Sequence, residues 1–264
     1  MALLQVKVYS QQLRTSTDVQ VILPTPRSSE AVGENAFKYY DRDNPCPVLY
    51  LFHGTHGDSG DWMRYSMVEA YARDYNVAVV MPEVANSVFR DMPRGGPKYY
   101  AYLTEELPKM MSWMFPISQK REDTFIAGLS MGGNGAFKIG MSKPEMFGYV
   151  ACLSSGFGEI FERVGNDPES PWSMAFELNE SVKGTADDQD WLSSQLIEKQ
   201  IDYPKLYLCC GTEDFLYEEN CRFRKHLDNI GFKYDYHEQP GIHNWIFWND
   251  EIQRVLEWLP IKKK

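Results

Sequence analysis

Thr124-Phe125-Ile126-Ala127-Gly128-Leu129-Ser130-Met131-Gly132-Gly133-Asn134-Gly135-Ala136 is the stretch on which the architecture turns. It opens as a short apolar run, passes a serine flanked by glycines, and continues into a helical pattern over residues 132–142. Strand, tight turn and helix therefore follow one another directly. Glycines on both sides let strand and helix approach without a clashing Cβ, and the serine between them sits on a strained turn. Its hydroxyl then stands exposed at the C-terminal end of a central strand. The Met131 backbone N–H falls at the start of the helix, where negative charge is welcome.

Outward from this stretch the same alternation repeats. Residues 47–52, 77–81, 149–153 and 205–209 are short apolar runs rich in β-branched and aromatic residues, each between turn residues and a longer helical pattern. Continuous apolar runs of that length suit strands buried on both faces, which means a parallel sheet flanked by helices. Helical spacing is found over 61–73, 99–115, 132–142, 218–230 and 244–259. Strand–helix repetition selects a three-layer α/β sandwich, because parallel strands need crossovers. A β-hairpin over 5–13 and 18–23, closed off by Pro24 and Pro26, adds antiparallel strands at one edge. A polar loop follows over 27–44. Residues 156–203 are long, polar and irregular, with Pro168, Pro171 and Gly184, and interrupt the alternation. They are expected to form a cap or lid insertion within one domain spanning 1–264.

Bulk properties narrow the class. A chain of 264 residues with 43% hydrophobic and 24% charged residues can bury a sizeable single core. Its net charge of −10 disfavours phosphate backbones and anionic lipid, so neither nucleic acid nor a membrane is an expected partner. No apolar run approaches the ~20 residues that span a bilayer. The N-terminal Met1-Ala2-Leu3-Leu4-Gln5-Val6-Lys7 lacks the charged and apolar regions of a signal peptide and reads as a first strand. Cys46, Cys152, Cys209, Cys210 and Cys221 are odd in number and lack ligand spacing. Free thiols in a reducing, cytoplasmic setting are the expectation, and the sequon at Asn179-Glu180-Ser181 reads as chance.

A serine on such a turn needs a base and an acid, and in this kind of fold they follow it in the order acid, then histidine. The acid should lie just past a later strand, where Cys210-Gly211-Thr212-Glu213-Asp214 offers two carboxylates. Asp214, further beyond the strand, is the better placed, with Glu213 as the alternative. Among the five histidines, His226 lies mid-helix among basic residues and looks solvated, and His237 belongs to an alternating strand. His53 and His56 belong to the loop after the first parallel strand. His243, in Pro240-Gly241-Ile242-His243-Asn244-Trp245, is the one that follows the acid on a loop between the last strand and last helix; capping that helix is its other possible role. His53-Gly54-Thr55 must turn sharply, which would present the Thr55 N–H beside that of Met131 as an oxyanion hole. His53 itself is expected to pack and hydrogen-bond beneath the loop.

Phe52-His53-Gly54-Thr55, Ile126-Ala127-Gly128-Leu129-Ser130-Met131-Gly132-Gly133, Gly211-Thr212-Glu213-Asp214-Phe215-Leu216-Tyr217 and Gly241-Ile242-His243-Asn244-Trp245 together resemble the serine esterase family of the α/β-hydrolase fold. That family includes tributyrin esterases, S-formylglutathione hydrolases, feruloyl and acetylxylan esterases and mycolyltransferases. The similarity runs from about Val6 to Pro260 and is greatest to bacterial tributyrin-type esterases.

The resemblance implies a carboxylesterase for short acyl chains, with Ser130, Asp214 and His243 in the triad positions and Thr55 and Met131 at the oxyanion hole. It implies a small-molecule ester substrate and calls for no metal or organic cofactor. Trp62 matches a tryptophan these esterases often carry near the site, though a helix-face core role suits it equally. Trp172 and Phe157, with Trp62, could line an apolar pocket or belong to the core. Asn134 departs from the family pattern, where an aromatic residue is common. The loop Thr55-His56-Gly57-Asp58 lacks the cysteine usual in S-formylglutathione hydrolases, which weakens that alternative. Feruloyl or acetyl-polysaccharide esterase activity, acyl transfer, and a non-catalytic binding protein on the same scaffold are the other readings.

Overall fold

Eight strands form one sheet in the order β1-β2-β4-β3-β5-β6-β7-β8, and their connections supply the helices on either side. This is a computed structural model, and it describes residues 1–26, 43–157, 167, 169–177 and 180–263. The sequon at Asn179 and most of the polar loop at 27–44 lie outside the described residues.

Strands β1 (Ala2–Ser10) and β2 (Thr15–Leu23) pair antiparallel, and β2 pairs antiparallel with β4 (Ala78–Pro82). Every other pairing is parallel, through β3 (Val48–Phe52), β5 (Thr124–Leu129), β6 (Tyr149–Leu153), β7 (Lys205–Gly211) and β8 (Asp235–Gln239). The central strands β3, β4 and β5 are buried along their whole length. β1, at the edge, alternates half-buried and exposed. That contrast is the one expected between strands covered on two faces and an edge strand with one face in water.

The pleat divides the core into two layers. Tyr50, Ile126, Cys152 and Leu208 face one side, where they pack against α4 (Leu107–Met114), α5 (Met131–Ser142), α6 (Gln189–Glu198) and α7 (Tyr217–Ile230). Leu49, Phe125, Ala151 and Cys209 face the other, under α1 (Asp61–Tyr65), α2 (Val68–Tyr75) and α8 (Trp245–Trp258). A short helix, α3 (Tyr99–Ala101), precedes α4. The three-layer α/β sandwich with antiparallel edge strands is thus the observed architecture.

Three helices depart from the sequence expectation, each for a local reason. The helix expected over 61–73 is two helices, because Ser66 is extended and its hydroxyl takes over the Trp62 carbonyl and the Val68 amide. The one expected over 99–115 widens into a π-helical turn at Tyr102–Glu106. Pro108, two residues on, can neither donate to the Thr104 carbonyl nor fit its ring beside it. Within 156–203, read as irregular, α6 forms a crossover helix between β6 and β7, capped by Asp188, whose carboxylate accepts the Trp191 N–H. No described helix is long and apolar enough to cross a membrane. All five cysteines are free thiols. Burial pushes the Cys46 thiol up to about 11 and those of Cys152, Cys209 and Cys210 higher still.

Candidate active site

Ser130 sits between β5 and α5 with φ 53° and ψ −120°, in the left-handed half of backbone space that a residue with a Cβ rarely occupies. What over-determines this strain is packing. A Cβ on Gly128 would lie 2.4 Å from the Gly132 carbonyl carbon, and one on Gly132 would lie 2.4 Å from the His53 carbonyl oxygen. The Ser130 N–H also donates to the Leu153 carbonyl of β6 at 2.8 Å. Strand, turn and helix are thereby locked, and the half-buried serine side chain is left to face the C-terminal edge of the sheet.

His243 comes from the loop after β8, which touches the end of β7: a Cβ on Gly211 would lie 2.2 Å from the Gly241 carbonyl oxygen. Its Nε2 is 3.0 Å from Ser130 Oγ, and its Nδ1 is 3.0 and 2.8 Å from the two carboxylate oxygens of Asp214. The Asp214 side chain is fully buried and its Oδ1 also accepts the Leu216 N–H at 2.9 Å. The last helix is capped by Asn244, which accepts the Phe247 N–H at 3.1 Å, so the imidazole is not needed for that task. A hydroxyl, an imidazole and a buried carboxylate in hydrogen-bonded series can pass a proton from the hydroxyl and stabilise the imidazolium that results.

Glu213, the alternative acid, points away from this series. Its carboxylate holds the Gly241 N–H and the Thr212 hydroxyl, and those hydrogen bonds keep its carboxyl below the usual glutamate range. It clips the histidine loop to the end of β7 without touching the imidazole.

The loop after β3 presses against Ser130: a Cβ on Gly54 would lie 3.4 Å from Ser130 Cβ and 2.6 Å from Leu129 Cδ1. Gly57 N–H donates to the Gly54 carbonyl at 3.2 Å, closing a tight turn. Thr55 lies within this turn and Met131 is the first residue of α5. Among the described residues, neither of their N–H groups has a hydrogen-bond partner. His53 is buried beneath: the Val84 amide donates to its Nε2 at 3.2 Å, leaving the proton on Nδ1, 2.8 Å from the Gly54 carbonyl.

Two of the three aromatic residues expected at the pocket belong to the core instead. Trp62 is 1% exposed, its Nε1–H donates to the Phe52 carbonyl at 2.9 Å, and its ring meets Trp245 edge-on. It supports the end of β3 from below. Phe157 is fully buried, stacked on Phe223 at 4.1 Å and edge-on to Phe137. Trp172 is half-buried against Val88, Ala175, Phe176 and Val182. The apolar surface that does border the imidazole is Phe215, 76% exposed with its ring 4.6 Å from His243, and the exposed Ile242. Both stand beside motif residues, so adjacency to Asp214 and His243 was the available signal. Asn134 is buried and donates to the Gly156 carbonyl at 3.0 Å. His226 is half-buried: it reaches Ser193 Oγ and the Asp190 carbonyl on α6 at 3.1 and 3.0 Å. Among the described residues, no three His, Cys, Asp or Glu side chains gather so as to hold a metal ion.

The chain is similar to known proteins over nearly its whole length. Residues 10–259 match the family model described as "Putative esterase". An acetyl esterase of Caldicellulosiruptor saccharolyticus is 32% identical over 268 residues, covering 98% of each chain. Two solved Staphylococcus aureus structures cover 98% of each chain. The fluorophosphonate-binding serine hydrolase FphF has a TM-score of 0.86 at 30% identity, and the S-formylglutathione hydrolase FrmB 0.84 at 31%. With a hydroxyl, an imidazole and a carboxylate in series at the edge of an α/β-hydrolase sheet, and with these relatives, the chain belongs to the esterase family, as an ester hydrolase of the serine type.

Proposed function

We propose that this esterase cleaves short-acyl esters of small alcohols through an acyl-enzyme formed on Ser130. The observation that carries the reading is the unbroken series Asp214–His243–Ser130, at 2.8 and 3.0 Å, ending on a serine held in a strained turn. In this mechanism His243 Nε2 takes the Ser130 proton as Oγ attacks the ester carbonyl. The Thr55 and Met131 amides receive the oxyanion, and His243 returns the proton to the departing alcohol. Water then attacks the acyl-enzyme by the same route in reverse. Asp214 holds Nδ1 protonated and the ring oriented.

The short-acyl preference, of the tributyrin type, is supported by the acetyl esterase relative. A second reading, thioester hydrolysis on an S-formylglutathione-like substrate, is favoured by the 31% identity to FrmB. Residues 1–264 are proposed as a single domain, in which α6 supplies a crossover helix and the described residues before it within 156–203 act as a cap; Arg90, from the loop after β4, pairs with Asp187 and Glu180 of this stretch. The free thiols favour a cytoplasmic setting.

Hydrolysis of p-nitrophenyl acetate, butyrate and octanoate, methyl ferulate and S-formylglutathione by wild type and Ser130→Ala tests the proposal. Acetate and butyrate as best substrates, with Ser130→Ala slower by several orders of magnitude, is the expected result. Preference for ferulate or the thioester would move the substrate assignment and keep the mechanism. An active Ser130→Ala would overturn both.

A further inference from the structure

The segment just after β4 braces the turn that carries Thr55 at three points. The Val84 N–H donates to His53 Nε2 at 3.2 Å, Glu83 Oε2 accepts the Ser59 N–H at 3.0 Å, and Asn86 Oδ1 accepts the His56 N–H at 2.8 Å. Only the last is made by a side chain to the residue next to Thr55. His56 is itself in the left-handed region, with φ 63°, a conformation that costs a non-glycine residue free energy and persists only where contacts hold it. The bracing segment is strained as well: Ala85, Val88 and Phe89 have φ of 48°, 49° and 57°. Its own anchor is firm, because Phe89 is buried against Phe52 at 4.8 Å and against the Cα of Gly135 in α5.

The peptide planes on either side of Thr55 are therefore each held, and because they meet at the Thr55 Cα the setting of one constrains the other. The Gly54 carbonyl is held by the Gly57 amide and His53 Nδ1–H, and the His56 amide is held by Asn86. Between them the Thr55 N–H has no partner among the described residues. An oxyanion donor is useful only if it is aimed before the charge develops. We infer that Asn86 is a positioning residue for the reaction: by holding the His56 amide it fixes the turn in the orientation that aims the Thr55 N–H at the oxyanion. This rests on the proposed role of Ser130 and Thr55. Nothing in the sequence marks Asn86, which belongs to no motif and lies 44 positions before Ser130, as the difference of their numbers shows.

The test compares Asn86→Leu, which removes the acceptor, with Asn86→Asp, which keeps one, on p-nitrophenyl butyrate and on an alkyl trifluoromethyl ketone. Ser130 Oγ adds to the carbonyl carbon of that ketone, its proton passing to His243 and the carbonyl oxygen becoming the oxyanion. Asn86→Leu is expected to lower kcat about tenfold, less than outright loss of an oxyanion donor, with KM within about twofold. The ketone's inhibition constant should rise by a similar factor, and Asn86→Asp should recover most of both. A general loosening of the fold would not follow that split or that rescue. Asn86→Ala carries the same test should the leucine variant not fold. If kcat stays within about twofold of wild type, if KM absorbs the loss, or if Leu and Asp lose equally, the assignment of Asn86 is wrong while the esterase reading stands. A wild type that turns over no ester, or an active Ser130→Ala, would instead remove the reading on which it rests.

Discussion

Asp214 meets His243 with both carboxylate oxygens, at 3.0 and 2.8 Å from Nδ1, while the neighbouring Glu213 holds the backbone of the loop that delivers the same histidine. Two adjacent acids thus divide orientation of the ring from orientation of its loop. The division follows from the turn after β7, where the Asp214 N–H donates to the Gly211 carbonyl and so rotates the two side chains apart.

Asp214→Asn is expected to lower kcat by about four orders of magnitude, because an amide no longer enforces the protonated Nδ1 tautomer. Glu213→Gln keeps an acceptor for Gly241 and should stay within about tenfold of wild type. Steady-state kinetics on p-nitrophenyl butyrate separates them; equal losses would mean that Glu213 shares the acid's role.

The glycines of the serine turn should differ in what they tolerate. In Gly132→Ala the new Cβ meets backbone, the His53 oxygen at 2.4 Å and the Phe52 oxygen at 2.7 Å, so either β3 or α5 must move. In Gly133→Ala the first obstacle is the Ser155 hydroxyl, which can rotate away, and then the Gly128 oxygen at 2.9 Å. Overpacking of this kind costs about 1–3 kcal/mol. Gly132→Ala should lie at or beyond the upper end and abolish activity, and Gly133→Ala should be milder; urea denaturation with an activity assay reads both.

Lys138, on α5, is buried with its ammonium 2.5 Å from Asp187, which also pairs with Arg90 at 3.1 Å. Burial pushes the lysine pKa down, and Asp187 opposes that push. Asp187→Ala leaves a buried cation short of its partner and is expected to destabilise by about 3–5 kcal/mol. Adding Lys138→Met should restore a good part of the loss. A single variant as stable as wild type in urea would show that the pair is dispensable.

Glu83 supplies a pH signature. Burial works against its ionisation, but His53, whose Nε2 lies 3.5 Å from Glu83 Oε1, and the hydrogen bonds Glu83 accepts from the Ala85 and Ser59 amides outweigh it and hold the carboxyl below the usual glutamate range. A carboxyl whose pKa is lower folded than unfolded stabilises above its unfolded value and loses that contribution as pH falls through its folded value. The stability gap between wild type and Glu83→Gln should be widest near neutrality and close on acidification. Thermal unfolding from about pH 7 to about pH 3 tests the sign, and a gap that widens in acid would refute it.

How far the sequence could be read depended on how many neighbours a residue had to satisfy. β3, β5 and β6 were plain because strands buried on both faces can hold almost nothing but apolar side chains, and Ser130 because its turn demands glycines. α6 was obscured: its buried positions are Gln189, Leu192, Ser193 and Leu196, half of them polar, so no clean apolar stripe appears. Trp62 and Phe157 are buried in the core, and the sequence left both roles open because an aromatic residue suits a pocket lining and a packed core alike. Asn86 acts through one partner far along the chain and Arg90 through two distant acids, relationships that spacing along the chain does not encode.

From β5 onward, strand order in the sheet is also chain order, β5-β6-β7-β8, with Ser130, Asp214 and His243 met in that sequence along one edge. A domain folds as a unit, and the site exists only when the strands that carry it are in place together. A chain whose β8 is undocked lacks the imidazole beside Ser130, so ester cleavage doubles as a readout that the far edge of the sheet is in place.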